Sequence, residues 1–324
     1  MIFALAVTGP TASGKTALSL GLAEQLSGEI ISSDSMQIYK YMDIGTAKAT
    51  REEQTRAPHH MIDFLSPTEN YSVEAYRAAA LGIARDVEAR GRLPIFVGGT
   101  GLYLDSLLRA PQIGVPESDP LYRAEILDGI KDEDDVQRLW DRLNSVDPDS
   151  AAEIHKNNVK RVIRALEIYD KTGIRKSELD RRSRECAKDI HVGIITLDFH
   201  SRDTLYSRVD LRVDMMMEEG LLDEVRSLYE RGLLRPETTA AQAIGYKEIV
   251  EYLEGRCTLA ESVDMIKLSS RRYAKRQLTW FRHNDGAVRI YCDGEDGAMR
   301  SGNEILSEAI SAYRTLRADH ERGI

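Results

Sequence analysis

Short apolar runs and longer amphipathic stretches alternate along the first hundred residues of this 324-residue chain. Phe3 to Thr8, Glu29 to Ser33 and Leu93 to Val97 read as buried strands, being brief, β-branched and bounded by glycine or polar residues. Between them Leu18, Leu22 and Leu26 recur every fourth residue, with Gly28 placed as a C-terminal cap, and a second helix spans about Ser72 to Arg90. Strand and helix in alternation predict an α/β fold with a parallel sheet wrapped by helices. From about Ile113 to Asp189 the sequence turns charged and strand-poor, as in Lys131 to Asp135, with helical segments closing at Gly129 and Gly173. An inserted all-helical lobe is expected there. Val192 to Leu197 returns to the sheet, and helices follow at about Arg202 to Glu230, Ala240 to Leu253 and Leu259 to Arg282. This divides the chain into a core of residues 1–112 and 190–284, a lobe of 113–189, and a loosely attached appendage of 285–324 with one amphipathic helix.

Length agrees with that division, since 324 residues and 36.4 kDa suit a main domain with a second lobe. With 42% hydrophobic and 30% charged residues, the chain can bury a sizeable core and has neither fibrous nor disordered character. Cys186, Cys257 and Cys292 are odd in number and far apart, which argues against a disulfide framework and against zinc. No leader precedes the first strand and no apolar run approaches the roughly 20 residues of a membrane span, so a cytoplasmic protein without membrane contact is expected.

A net charge of −9 would ordinarily count against nucleic acid as a partner, but its distribution reverses the reading. Lys267, Arg271, Arg272, Lys275, Arg276 and Arg282 fall in an acid-free stretch interleaved with Tyr273, Trp280 and Phe281. A second acid-free stretch, Ile154 to Leu166, carries Lys156, Lys160, Arg161 and Arg164 at helical spacing. Each alone could be a solvated helix face; two beside a phosphate site make that reading less comfortable.

That phosphate site is the run Gly9-Pro10-Thr11-Ala12-Ser13-Gly14-Lys15-Thr16, a complete G-x-x-x-x-G-K-[ST] loop between a strand and a helix. The glycines let backbone amides turn inward, Lys15 neutralises phosphate charge, and the Thr16 hydroxyl suits a Mg²⁺ bridging phosphate oxygens. The fold expected is therefore P-loop NTPase-like. After the second strand comes Ser32-Ser33-Asp34-Ser35-Met36-Gln37, whose carboxylate faces the ligand crevice as a metal ligand or as a general base. After the third, Gly98-Gly99-Thr100-Gly101 offers a hydroxyl donor where many P-loop hydrolases carry an aspartate, which makes ATP hydrolysis a poor fit.

Seven segments in order resemble the bacterial tRNA dimethylallyltransferases: Gly9 to Thr16, Asp34 to Tyr39 with Met42 to Lys48, His59 to Asp63, Gly98 to Tyr103, Arg161 to Glu167, Ala243 to Glu248, and Tyr273 to Arg282. The resemblance covers about residues 1 to 283. It implies transfer of a dimethylallyl group from dimethylallyl diphosphate to N6 of the adenosine 3′ of the anticodon, in tRNAs reading codons that begin with U. It carries Asp34 over as general base, Thr100 as a hydrogen-bond donor to the bridging oxygen or acceptor, and Arg208 or Arg212 as the diphosphate clamp. It places Asp34, Ser35, Met36 and Gln37 against a flipped-out adenine, and Arg123, Lys160, Arg161, Val162, Ile163 and Arg164 against the anticodon stem-loop. Gln242, Ala243, Ile244, Gly245, Tyr246 and Lys247 would complete the tRNA channel, with Arg276 and Trp280 from the basic helix. Mg²⁺ is the expected cofactor, and a monomer the expected state. A P-loop small-molecule kinase, a prenyl transferase acting on free adenine nucleotides, and a non-catalytic RNA-binding module are the alternatives.

Overall fold

A computed structural model describes residues 2–108, 119–185, 189–284 and 286–323. Cys186 and the expected lobe start at Ile113 lie outside them. The chain divides into one unit of residues 1–108 and 189–324 and a second of 109–188.

The first unit opens with β1 (Ile2–Thr8), α1 (Lys15–Leu26), β2 (Gly28–Ser32), α2 (Arg51–Arg56), β3 (His59–His60), α3 (Val73–Ala89), β4 (Leu93–Val97) and α4 (Gly101–Leu108). The second unit is helical among its described residues, with α5 (Pro120–Gly129), α6 (Glu133–Val146), α7 (Pro148–Glu153), α8 (Val159–Thr172) and α9 (Lys176–Glu185). The first unit resumes with β5 (Ile190–Asp198), α10 (Arg202–Glu218), α11 (Leu221–Glu230), α12 (Tyr246–Leu253), α13 (Leu259–Arg282), β6 (Ala287–Tyr291) and α14 (Gly302–Arg322).

Six strands form one sheet in the order β3-β2-β4-β1-β5-β6, and every pairing is parallel. Side chains alternate across a strand, so the apolar run of β1 supplies two cores. Phe3, Leu5 and Val7 pack with Leu18 and Leu22 of α1 and Ile305 of α14, while Ala4 and Ala6 face Tyr76 and Ala80 of α3 and Tyr103 of α4. A third core joins Ile38 and Met42 to Val213, Leu221, Tyr246 and Ile266, and so fixes the segment after β2 against the C-terminal helices.

Four expectations need correction. Residues 286–323 are no loose appendage: β6 extends the sheet beside β5, and α14 lays Ile305 and Ala309 into the core against α1. The stretch Arg202 to Glu230 is two helices, because Gly220 adopts φ 102° between them. Ala240 to Leu253 begins instead as one 3₁₀ turn, Ala240–Gln242, and α12 starts only after Gly245 at φ 95°. Helix α1 ends on Ser27 in the left-handed region, while Gly28 opens β2, where a Cβ would lie 2.5 Å from the Ile95 side chain.

Within the second unit, Leu143, Ala151, Ile154, Val162, Ala165 and Leu166 make a small core. Glu167 is fully buried beside it, accepting the Asp119 amide and the guanidinium groups of Arg123 and Arg164 at 2.7 Å each. Burial opposes its ionisation, but those hydrogen bonds prevail and hold its carboxyl below the usual glutamate range. Glu167→Ala leaves two partly exposed arginines and one amide without their acceptor, and should destabilise this unit by roughly 2–3 kcal/mol. Trp140, whose indole donates to the Ile154 carbonyl, reports the loss as a lower denaturation midpoint in a Trp280→Phe background.

Candidate active site

Three adjacent strands, β2, β4 and β1, end along one edge of the sheet, and the three sequence motifs begin there. Gly9 follows β1, Asp34 follows β2 by two residues, and Gly98 follows β4. Segments scattered over ninety residues of sequence therefore meet at the carboxyl edge, where open parallel sheets bind ligands. Backbone bonds tie them together: the Ser33 amide donates to the Val97 carbonyl at 2.7 Å, and the Thr100 amide to the Ser33 carbonyl at 3.2 Å.

The loop Gly9 to Thr16 has the conformation its composition demands. Gly9 and Gly14 sit at φ 142° and 90°, and Ala12 is left-handed at 61° without being glycine. A Cβ on Gly9 would lie 2.8 Å from the Leu197 carbonyl oxygen, so glycine is required by space as well as by φ. Outside elements brace the loop. Gln277 Oε1 accepts the Thr11 amide at 2.8 Å, Arg208 Nε donates to the Ala12 carbonyl at 2.9 Å, and the buried Cys292 thiol donates to the Ser13 carbonyl. Lys15 Nζ folds onto the carbonyls of Gly9 and Pro10 at 3.0 and 2.7 Å. The Ser13 hydroxyl is buried without a hydrogen-bond partner, as befits a donor kept for a ligand oxygen. The first amides of α1, which have no carbonyl within the helix to bond, open at the same place.

Beside the loop lies a cavity of about 500 Å³ lined by Thr11, Asp34, Ser35, Met36, Arg212, the run Gln242 to Lys247, Arg272, Tyr273 and Arg276, with an apolar portion from Val209, Val213, Met216, Leu221 and Ile266. Thr11, the Asp34 to Met36 segment, Arg212, the run Gln242 to Lys247 and Arg276 thus share one space, while Thr11 alone of the phosphate loop lines it. The two arginines divide the work: Arg208 holds the loop backbone, whereas Arg212 lines the cavity. Thr100 Oγ1 accepts the Ser35 amide at 3.1 Å and so holds the segment that carries Asp34.

Asp34 Oδ1 accepts the Met36 amide at 2.9 Å. Burial raises its pKa above the ordinary aspartate value, and the Met36 and Gln37 amides with the Lys15 and Arg212 cations counter only part of that rise. Burial also brings Lys15 down to about 8 despite the Asp34 charge. A carboxylate made more basic and a cation held among buried groups, with a second cation across the cavity, suit a reaction that takes up a proton at one end and releases an anion at the other.

Gly98 accepts no side chain: a Cβ there would stand 2.2 Å from the Ser33 carbonyl oxygen. The aspartate that follows this strand in many P-loop hydrolases is sterically excluded here.

Several predicted contacts fall elsewhere. The Gln37 amide is committed inward, accepting from Ser32 Oγ and donating to the Thr46 and Ala47 carbonyls. Val162 and Ile163 have buried side chains, and Arg123 and Arg164 are bound to Glu167, so of that set only Lys160 and Arg161 are exposed. Tyr246 is fully buried and donates to Glu224 Oε1 at 2.6 Å. Trp280 packs against the Gly101 backbone, where a Cβ would meet its ring at 2.5 Å. On the basic helix Lys267, Arg271 and Arg282 pair with Asp214, Asp210 and Asp198, leaving Arg272, Lys275 and Arg276 exposed.

Two supporting residues went unread in the sequence. Glu224 of α11 accepts the amides of Asp43, Ile44 and Gly45 as well as the Tyr246 hydroxyl, pinning residues 43–45 to the cavity wall. Gln277 of α13 joins the phosphate loop to Gly99. The helical period could have found it, since Tyr273, Gln277 and Trp280 share one face.

Comparison with known proteins agrees with this arrangement. The family model described as IPP transferase matches residues 37–284. The chain belongs to that family. A model described as isopentenyl transferase also matches residues 2–63. Relatives named tRNA dimethylallyltransferase include one from Bacillus cereus (strain AH187), 49% identical over 93% of this chain and 92% of its own, and one from Halalkalibacterium halodurans, 48% identical over 86% and 88%. The solved full-length tRNA isopentenylpyrophosphate transferase of Bacillus halodurans is 39% identical and superposes over 99% of both chains with a TM-score of 0.70. A eukaryotic dimethylallyltransferase solved while acting on tRNA is 30% identical over 90% of this chain and 74% of its own, with a TM-score of 0.76. Among the described residues no helix is long and apolar enough to cross a membrane.

Proposed function

We propose that this chain transfers the dimethylallyl group of dimethylallyl diphosphate to N6 of the adenosine immediately 3′ of the anticodon, position 37, in tRNAs that read UNN codons. One observation carries the reading: Thr11 of the phosphate loop and the half-buried Asp34, whose pKa is raised, border the same cavity in a member of the IPP transferase family. The relatives' names supply tRNA and the dimethylallyl group.

In this reaction the adenine N6 attacks C1 of the prenyl group as the C1–O bond breaks, and diphosphate leaves with the bonding pair. Negative charge gathers on its oxygens. Lys15, Arg212, the Ser13 hydroxyl and the first amides of α1 are the donors that would receive it, and preorganised donors facing developing charge are usually the largest catalytic term. N6 becomes cationic as the new bond forms, and Asp34 accepts its proton at that stage, since an exocyclic amine is too weak an acid to give it up earlier. Mg²⁺ fits the donor set. It keeps most of its waters and needs few protein ligands when phosphates supply the rest, and the Thr16 hydroxyl would hold it. When bound it would neutralise part of the diphosphate charge.

The adenine must leave the stacked anticodon loop to enter the cavity, where the Asp34 to Met36 segment lies. Lys160, Arg161, Arg272, Lys275 and Arg276 are exposed cations available to phosphate. Arg161→Ala should weaken tRNA binding several-fold and lower the slope of log K against log salt by about one, as expected for one lost phosphate contact, with prenyl diphosphate affinity unchanged; nitrocellulose filter binding across a salt series checks it.

Transfer of radiolabel from dimethylallyl diphosphate tests the acceptor. Label entering unmodified tRNA and not AMP is the expected result. Label in AMP alone would favour a transferase acting on free nucleotides, and phosphate transfer from ATP to a small acceptor would favour a kinase.

A further inference from the structure

Gln277 lies on α13, 266 residues from the loop that its carboxamide touches, and it is buried, with only 5% of its surface exposed. Its oxygen accepts the Thr11 amide at 2.8 Å, and its nitrogen donates to the Gly99 carbonyl at 2.9 Å. Each end of the amide meets the partner its chemistry requires, so one side chain bridges the two loops that leave β1 and β4. The chain of bonds continues. Gly99 leads into Thr100, whose hydroxyl accepts the amide of Ser35, next to Asp34. On the other side Thr11 leads into Ala12, whose strained left-handed backbone is held by Arg208 at the carbonyl.

The Thr11 amide is therefore committed to Gln277. The effect is to fix the orientation of the peptide planes from Thr11 to Ala12, and hence where the later amides of the loop aim. Gly99 gives this joint its close fit: a Cβ there would stand 2.1 Å from the Gln277 nitrogen.

We infer that Gln277 is a positioning residue for the transfer reaction, setting the spacing between the diphosphate loop and the Asp34 base by bracing the loop against the Gly99–Thr100 turn. The inference rests on the function proposed above. A displacement of about 1 Å between reacting groups can cost roughly 100-fold in rate, so loss of the brace should be felt in catalysis even where the fold survives.

Two variants test it on the full chain. Gln277→Met keeps the side chain's length and removes both bonds. Gly99→Ala leaves Gln277 in place but pushes on the flexible end of its side chain, away from the Gly99 carbonyl. Steady-state kinetics, calorimetric binding of inorganic diphosphate and filter binding of unmodified tRNA are compared with wild type. Both variants should raise KM for dimethylallyl diphosphate and weaken diphosphate binding by roughly 10- to 100-fold and lower kcat, with tRNA affinity unchanged. A role in stability alone would lower the melting temperature without that split. Wild-type diphosphate affinity and kinetics in either folded variant would overturn the inference, as would an equal loss of tRNA affinity. Should Gln277→Met fail to fold, the same measurements on Gly99→Ala decide between these outcomes. A wild-type chain that binds diphosphate but transfers no dimethylallyl group would count against the proposed function, and diphosphate binding would still judge the brace.

Discussion

Asp34→Asn should lower the rate of dimethylallyl transfer by about 10²- to 10⁴-fold, the range that a positioned proton acceptor contributes. The substitution is close to isosteric, and its amide oxygen can still accept from the Met36 amide at the 2.9 Å that Asp34 now holds. No cavity opens. A half-buried carboxylate of raised pKa is replaced by a neutral group, so melting temperature should hold or rise. Single-turnover rates on unmodified tRNA measure the chemical step, and tRNA binding, measured separately, should change little. A uniform loss of binding with an unchanged single-turnover rate would remove Asp34 from the chemistry and leave it as a contact.

Lys15→Met should cost about 10²- to 10³-fold in kcat/KM for dimethylallyl diphosphate, because it deletes the half-buried loop cation that would neutralise the leaving group. The same residue sets one limb of the pH profile. Its pKa is lowered to about 8, first by burial, with Arg212 adding to the drop and Asp34 opposing it. The charged form is the one that holds diphosphate. Since kcat/KM reports the free enzyme, it should fall as pH rises through about 8 and Lys15 loses its proton. The acid limb has the opposite sign. Asp34 must be ionised to accept a proton, and burial raises its pKa, so activity should rise with pH through a point above the ordinary aspartate value. Lys15→Arg, whose guanidinium stays charged, should carry the plateau past pH 9 if it retains activity.

Much of this architecture was legible in the sequence, and the reasons are local. A phosphate loop between an apolar strand and a helix demands its own geometry, and buried parallel strands announce themselves as apolar runs. What escaped was short or distant. The two residues of β3 are too brief to carry a period, and β6 is partly exposed with Arg289 at its centre, lacking the apolar run that marked the equally short β2 and β4, so a strand that completes the sheet passed for the start of an appendage. The break at Gly220 was hidden because helical sequence runs up to it on both sides and a single glycine is tolerated within a helical pattern.

The site was legible as a set of motifs and illegible as a division of labour. Lys267, Arg271 and Arg282 make a basic stretch in sequence, yet each meets an aspartate on another element; Arg271 reaches Asp210 across 61 residues and Arg282 reaches Asp198 across 84. Charge along a chain does not disclose such partners. Arg123 and Arg164 were absorbed in the same way by Glu167, a carboxylate from the very motif that suggested RNA contact. The pair Arg208 and Arg212, one helical turn apart, could be separated only by seeing which one meets the Ala12 carbonyl and which lines the cavity. Gln277 needed the fold as well, since its two partners belong to loops that become neighbours only when β4 lies beside β1.

The most direct test of the central claim is mass analysis of nucleosides from an unmodified UNN-reading tRNA incubated with the chain, Mg²⁺ and dimethylallyl diphosphate, with Asp34→Asn in parallel. Wild type should give one dimethylallyl increment on the adenosine 3′ of the anticodon, and the variant a severely reduced yield. No increment from folded wild-type protein, or an undiminished one from Asp34→Asn, would contradict the claim.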